Sequence, residues 1–429
     1  MGGSCLRRLY TALFHLVTPL VVARLLWRSR KAPDYRRRIA ERFGCYRDAA
    51  AVPHVWFHAV SVGEAEAAFP LLRKLRERFP QERFVVTTTT PTGSRRVRDV
   101  LGESVAHVYL PYDLPGPVGR FLGAFRPRLA VILETEIWPN LYQACAASGI
   151  PLAIVNARLS ERSARGYGRL PELTRDSLAA VTWLAAQSAA DAERFRNLGV
   201  AAERVEVTGN LKFDLQLPDD VALRGGDIRN GLFRGRPTVV AGSTHEGEEE
   251  WLLESLAQLL GQFPDLLLVL APRHPERFDA VAELCRRRGL AVTRRSSGAE
   301  VLESPVFLLD TLGELRQFYA AGDVAYVGGS LVARGGHNPL EPAALGLPVL
   351  FGPQVFNFQE ISRGLLDSGG AGQVGDGAGL TAELRHLLED PSQRQTMGRA
   401  SRSFVERGRG ALQRVAAHLA QWLEPQRHE

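Results

Sequence analysis

Cysteine is scarce in this sequence. Cys5, Cys45, Cys145 and Cys285 are the only four in 429 residues, and they never form C-x-x-C. That spacing excludes a disulfide framework and a cysteine zinc site, and it fits a reducing compartment. H-E-x-x-H does not occur, and no metal site is expected. G-x-x-x-x-G-K-[ST] is absent, and no G-x-G-x-x-G follows the first predicted strand. ATP hydrolysis and hydride transfer therefore recede. An uninterrupted span of about 20 apolar residues is missing as well. Acidic excess is missing too, since the net charge is +6. A basic chain implies an acidic partner: nucleic acid, anionic lipid or a phosphorylated substrate.

The sequence does have one shorter apolar run, Leu9–Ala23, after Arg7 and Arg8. Arg24, Arg28, Arg30, Lys31, Arg36, Arg37 and Arg38 follow it. No small-residue cleavage site follows, so a signal peptide is disfavoured. A marginal single-pass anchor and an interfacial helix with a basic rim on anionic head groups both remain open. Tyr35–Gly44 continues the positive charge toward the same lipid partner.

Beyond it, apolar strands alternate with helical patterns, the beat of doubly wound parallel sheets. In the first half, polar residues gather after strands. Glu64 follows the strand His54–Val60, within the capping-box pattern Ser61-x-x-Glu64. Glu134 and Glu136 follow Arg128–Leu133, and Lys212 follows Val205–Thr208. Carboxylates at strand ends are costly unless solvated, paired or functional. Pro218, Gly225 and Gly226 then break the rhythm. The expected division is residues 1–34 as membrane anchor or interfacial helix, 35–214 as first domain, 215–236 as connection and 237–429 as second domain with the C-terminal helices.

In the second half, four strand ends carry glycine or polar residues and a helix start. One is Ser243-x-x-Glu246, read as a second capping box. Another runs from Gly328–Gly329 through Gly335–Gly336 to His337–Asn338–Pro339. There Asn338 is predicted as N-cap, Pro339 as the first helical residue, and Glu341 in the first turn. Such an end suits a phosphate, and the carboxylate can accept from two ribose hydroxyls. From these residues alone, a UDP-sugar enzyme and a membrane-tethered nucleotide- or lipid-binding module stay open beside other transferases.

Seven motifs in order narrow the choice: HAVSVGE at His58–Glu64, ETEIWPN at Glu134–Asn140, GNLKFD at Gly209–Asp214, GSTHEGEE at Gly242–Glu249, APRHPER at Ala271–Arg277, DTLGEL at Asp310–Leu315 and GGHNPLEPAALGLPVLFGP at Gly335–Pro353. Together they resemble the 3-deoxy-D-manno-octulosonic acid (Kdo) transferases of lipopolysaccharide synthesis. Leu312 departs from the pattern, where methionine is expected. The resemblance implies a GT-B architecture, two Rossmann-like domains facing a cleft. It implies inverting transfer of Kdo from CMP-Kdo to a hydroxyl of a lipid A precursor, with no cofactor, no nucleic-acid partner and an anionic inner-membrane surface beside the enzyme. Glu64 resembles the general base, and Glu134 and Lys212 the residues that stabilise the transition state. Pro272, Arg273, Leu312, Gly313, Glu314, Asn338, Pro339, Leu340 and Glu341 resemble the CMP contacts.

Overall fold

The computed structural model describes residues 2–30, 32–47, 51–299, 301 and 303–424. Lys31, part of the basic flank, lies outside them. Two compact units form, Met1–Asp214 with Arg409–Glu429, and Leu215–Gly408.

The first unit is built on seven strands: β1 (His54–His58), β2 (Phe84–Thr88), β3 (Ala106–Tyr109), β4 (Pro127–Leu133), β5 (Leu152–Ala157), β6 (Trp183–Ala186) and β7 (Val205–Val207). They pair in parallel in the order β3-β2-β1-β4-β5-β6-β7. The order reverses between β1 and β4, and ligands of open α/β sheets bind beyond strand ends at such a point. Strand alternation divides the core. Val55, Phe57 and Val131 face one layer with Leu71, Leu72 and Leu75 of the helix Val62–Arg78. Trp56, Ile132 and Ile154 face the other with Phe121, Tyr142 and Phe195. His54 and His58, although four residues apart, lie on a strand, so about 13 Å of backbone separates them.

The second unit carries β8 (Thr238–Thr244), β9 (Leu267–Pro272), β10 (Val292–Arg294), β11 (Val306–Leu308), β12 (Val324–Val327), β13 (Val349–Phe351) and β14 (Ala371–Gln373). The order is β10-β11-β9-β8-β12-β13-β14, again parallel, with its reversal between β8 and β12.

Two assignments at the ends of the second domain differ from the sequence reading. The last helix, Ala411–Leu423, belongs to the first unit. Leu412, Val415, Leu419 and Leu423 fill its core, and Asp214 caps the helix through the N–H groups of Gly410 and Leu412, both 2.7 Å away. Residues 215–236 are no free connection either. They form a helix, Val221–Asp227, that packs in the second unit on the helix Leu315–Ala321, with Gly225 against Ala320 where a Cβ would approach to 2.4 Å. The stretch before the last helix holds two helices, Gly377–Glu389 and Pro391–Gly408, because Pro391 disfavours helical geometry at Asp390.

The N-terminal helix, Gly2–Arg28, is long and apolar enough to cross a membrane by length and composition. One side is tied to the first unit. Arg7 pairs with Asp176 at 3.5 Å, Thr11 donates to Asn140 Oδ1 at 3.0 Å, and Tyr10 donates to Asp113. The other side exposes Leu9, Leu13, Leu16, Leu20 and Trp27, spaced as one helical stripe. The sequence shows no polar division of this helix; packing makes its two faces. The basic flank divides as well. Arg24, Arg28, Arg30, Arg36 and Arg37 are exposed. Arg38 instead turns inward to Glu41 and the His107 carbonyl, and buried Arg42 donates to the Thr89 carbonyl. Those two arginines are committed to contacts within the first unit.

Candidate active site

In the first unit the site grows from the ends of β1 and β4, the strands that flank the reversal. Ser61 caps the helix Val62–Arg78, and Glu64 reaches back from its first turn. Glu64 Oε2 accepts from the Val60 N–H at 2.7 Å, and Oε1 from the Ser61 hydroxyl at 3.1 Å. Ser61 Oγ accepts in turn from the Glu64 N–H at 3.4 Å, so the cap half of the box forms, while the carboxylate is fixed by Val60, one residue before the N-cap. A helix N-terminus by itself favours the ionised form of Glu64. The surroundings reverse this. Burial, aided by the Glu134 and Glu136 charges, pushes Glu64 up to about 7 against its two hydrogen bonds. Burial and Glu134 likewise raise Glu136 to about 7, although Trp138 donates to it. These three carboxylates therefore share one locality.

Glu134 sits just beyond β4 with φ +57°, and Asn156 within β5 with φ +53°. Left-handed backbone at such residues costs of order 1–3 kcal/mol and clusters at functional sites. Lys212 lies on the turn Leu211–Phe213, which packs against the helix Val62–Arg78. Its N–H is held by Asn210 Oδ1 at 2.9 Å, and the neighbouring Leu211 N–H by buried Asn156 Oδ1 at 3.0 Å. Gln187 bridges Asn210 and the Asn156 carbonyl. Asn156 and Gln187 were not singled out as site residues; only the fold brings β5 beside this turn.

In the second unit the predicted nucleotide residues occupy three strand ends. Pro272 is buried at the end of β9, and Arg273 beyond it is exposed. Leu312 is 71% exposed, an apolar side chain held in solvent beside Gly313 at φ +88°. Glu314 is gripped by Arg295 at 2.8 Å and by the Thr311 hydroxyl, which hold its carboxyl below the usual range. Arg316 joins the helix Leu315–Ala321 to Glu341, its Nη2 2.9 Å and Nε 3.2 Å from Oε1. Asn338 Oδ1 accepts from the Leu340 N–H at 3.1 Å. Leu340 is fully buried, so its side chain packs inside the unit.

The phosphate cradle read from the glycines differs in two ways. The helix after Asn338 starts at Leu340 and spans five residues, too short for a strong dipole. The N–H groups of Gly329, Ser330 and Leu331 are also already occupied. They donate to Glu248 at 2.7, 3.0 and 3.0 Å. The His245 N–H at 3.0 Å and the Tyr326 hydroxyl at 2.8 Å donate to it as well. Fully buried Glu248 is thus the loop's own acceptor. The capping box expected at Ser243–Glu246 is absent. Ser243 lies within β8 with φ +58°, the helix begins at Glu248, and the Gly247 N–H donates to the Glu250 carboxylate at 3.0 Å. A run of free N–H groups after β12 was the available signal for a buried acceptor, but it did not say which of four nearby glutamates supplies it.

The chain is similar to known proteins over nearly its whole length. The family model described as 3-Deoxy-D-manno-octulosonic-acid transferase (kdotransferase) matches residues 37–215. The 3-deoxy-D-manno-octulosonic acid transferase of Haemophilus influenzae is 41% identical, covering 97% of this chain and 99% of its own length. That of Bordetella pertussis is 38% identical with the same coverage, 97% and 99%. A UDP-GlcNAc 2-epimerase structure from Neisseria meningitidis superposes with a TM-score of 0.56 over 86% of this chain and 100% of its own, at 16% identity. At that identity the likeness is one of fold, two Rossmann-like units of GT-B type. With near-complete coverage at 41% identity, the chain belongs to the 3-deoxy-D-manno-octulosonic acid transferase family and is a glycosyltransferase.

Proposed function

We propose that the protein moves Kdo from CMP-Kdo to a hydroxyl of a lipid A precursor with inversion, Glu64 acting as general base. The observation that carries this reading is the Glu64 carboxylate, anchored by Val60 and Ser61 and raised to about 7 beside Glu134 and Glu136. A sugar hydroxyl is a poor nucleophile until its proton leaves, and a base works best with a pKa near the working pH. The step balances as one displacement. The acceptor oxygen bonds to the anomeric carbon while its proton passes to Glu64. The bond from that carbon to the phosphate oxygen breaks, and its electron pair stays on CMP. Arg273, an exposed guanidinium at the end of β9, suits the departing phosphate. Lys212 and Glu134 are assigned to stabilising the transition state. Glu341, Asn338 and Glu314 are assigned to the nucleotide, with the exposed Leu312 offering apolar contact to the base. One phosphate needs no clamp of the kind used for diphosphates, so turnover is expected to survive a chelator.

The attachment we favour is interfacial, on the cytoplasmic face of the inner membrane. Support comes from the stripe Leu9, Leu13, Leu16, Leu20 and Trp27, exposed on a helix whose other side is bonded to the protein. Exposed Arg24, Arg28, Arg30, Arg36 and Arg37 would meet anionic head groups. The test is incubation with CMP-Kdo and a tetra-acylated lipid A precursor in EDTA, with products read by mass. Acceptor carrying added Kdo, with matching CMP release, is expected. Unchanged acceptor, or product only from a UDP-sugar, contradicts the reading.

A further inference from the structure

The second unit holds a histidine pair that none of these roles uses. His245 follows β8 and His337 ends the loop after β12, so both stand at the reversal in strand order. Their Nε2 atoms are 2.8 Å apart, with ring planes within 4° and centroids 5.1 Å apart. The nitrogens are far closer than the centroids, so the rings meet edge to edge through N–H···N. A single proton fits between them. Gly329 permits the approach. It has φ +70°, and a Cβ there would lie 3.0 Å from His337 Cδ2 and 3.4 Å from His245 Cδ2.

The surroundings are cationic. The His274 ring lies 5.2 Å from His245, and Arg273, Arg277 and Arg334 all act on the pair. Of the carboxylates at this corner, Glu248 takes five donors, Glu249 takes Arg277 and Thr244 on Oε1 while its buried Oε2 has no partner, and Glu276 lies 3.9 Å from His274. Burial, then Arg273, His245 and His274, hold His337 down at about 4. Burial is likewise the main cause lowering His245, with His274, Arg334 and Arg277 adding to it against Glu248. Among the described residues, neither ring of the pair carries a carboxylate partner.

We propose that His245 and His337, with the charge of Arg334 acting on His245, bind the carboxylate of the sugar acid carried by the donor. This rests on the donor reading given above. The family's sugar is an octulosonic acid, and its carboxylate is a charge that the nucleotide contacts leave unmatched. On binding, the pair takes up one proton from solvent. Each ring then donates an Nε2–H to a carboxylate oxygen, and two charge-assisted bonds replace the N–H···N contact. A neutral sugar would leave those donors unpaired, so the pair selects for acids.

The test compares CMP affinity by calorimetry with the KM for CMP-Kdo in His245→Asn, His337→Gln and Arg334→Gln. Both histidine variants should keep the CMP Kd within about threefold while the donor KM rises at least about tenfold. Arg334→Gln alters an exposed side chain, so it should raise the donor KM without lowering the melting temperature. It keeps the test decisive if a histidine variant fails to fold. An unchanged donor KM in folded variants overturns the proposal. So does a parallel loss of CMP and donor affinity, which would mean that the pair binds phosphate or only secures the loop carrying Asn338–Glu341. A parent protein that does not bind CMP would sink the donor reading first, and this inference with it.

Discussion

Glu64 shows how one side chain can cap a helix and still be tuned for chemistry. Its two hydrogen bonds favour the ionised form, but burial and two neighbouring carboxylates outweigh them. A carboxyl raised from 4.5 to about 7 in the folded chain binds its proton more tightly there than in the unfolded chain. Its protonated form contributes stability that is fully present below about pH 4.3 and lost as pH rises through about 7. Glu64→Gln removes that loss and keeps an acceptor for the Val60 N–H, so at pH 8 the variant should melt at or above the parent. A clear drop in melting temperature at pH 8 would show that the carboxylate is needed for the fold. Glu341 makes the opposite bargain, since its half-exposed pair with Arg316 adds little stability. Glu341→Ala should therefore leave the melting temperature nearly unchanged and weaken CMP binding by about 1.5–3 kcal/mol. A CMP Kd within about twofold of the parent would remove Glu341 from the nucleotide site.

Among the elements, the loop after β12 depends on a partner that local sequence does not reveal. Glu248 gathers five donors from two strand ends and from Tyr326. Glu248→Gln puts an amide N–H where a carboxylate oxygen accepted, and buried donors lose their acceptor. Unfolding of the full chain, followed by Tyr326-sensitive near-ultraviolet signals, should show a destabilisation of about 3 kcal/mol. A loss below about 0.5 kcal/mol would mean that the loop holds itself. The N-terminal helix poses a separate question of attachment. Leu13→Asp with Leu20→Asp places two charges on its exposed stripe. Binding to anionic vesicles should fall at least about tenfold while CMP binding is unchanged. Vesicle binding equal to the parent's would contradict the interfacial reading.

Across the whole molecule, the sequence made the parallel sheets and the strand-end carboxylates legible, because buried parallel strands read as apolar runs and polar residues collect after them. It missed β6, β10 and β14. Ala185–Ala186 lack β-branched character, β10 is a half-buried edge, and Ala371–Gln373 is small and polar. The return of the last helix to the first unit was also hidden, because Asp214 and Leu412 are neighbours only after folding. Motif order gave the family, while the opposition of burial and capping at Glu64 needed coordinates. The most direct measurement of the central claim is the pH dependence of single-turnover transfer from CMP-Kdo in the parent and in Glu64→Gln. A general base must be unprotonated, so the parent's rate should rise with pH through about 7 and then level off. Glu64→Gln should bind CMP normally, lose the inflection and run at least about 10² slower. A Glu64→Gln rate within a few-fold of the parent, with the same inflection, would contradict the account and move the base to Glu136.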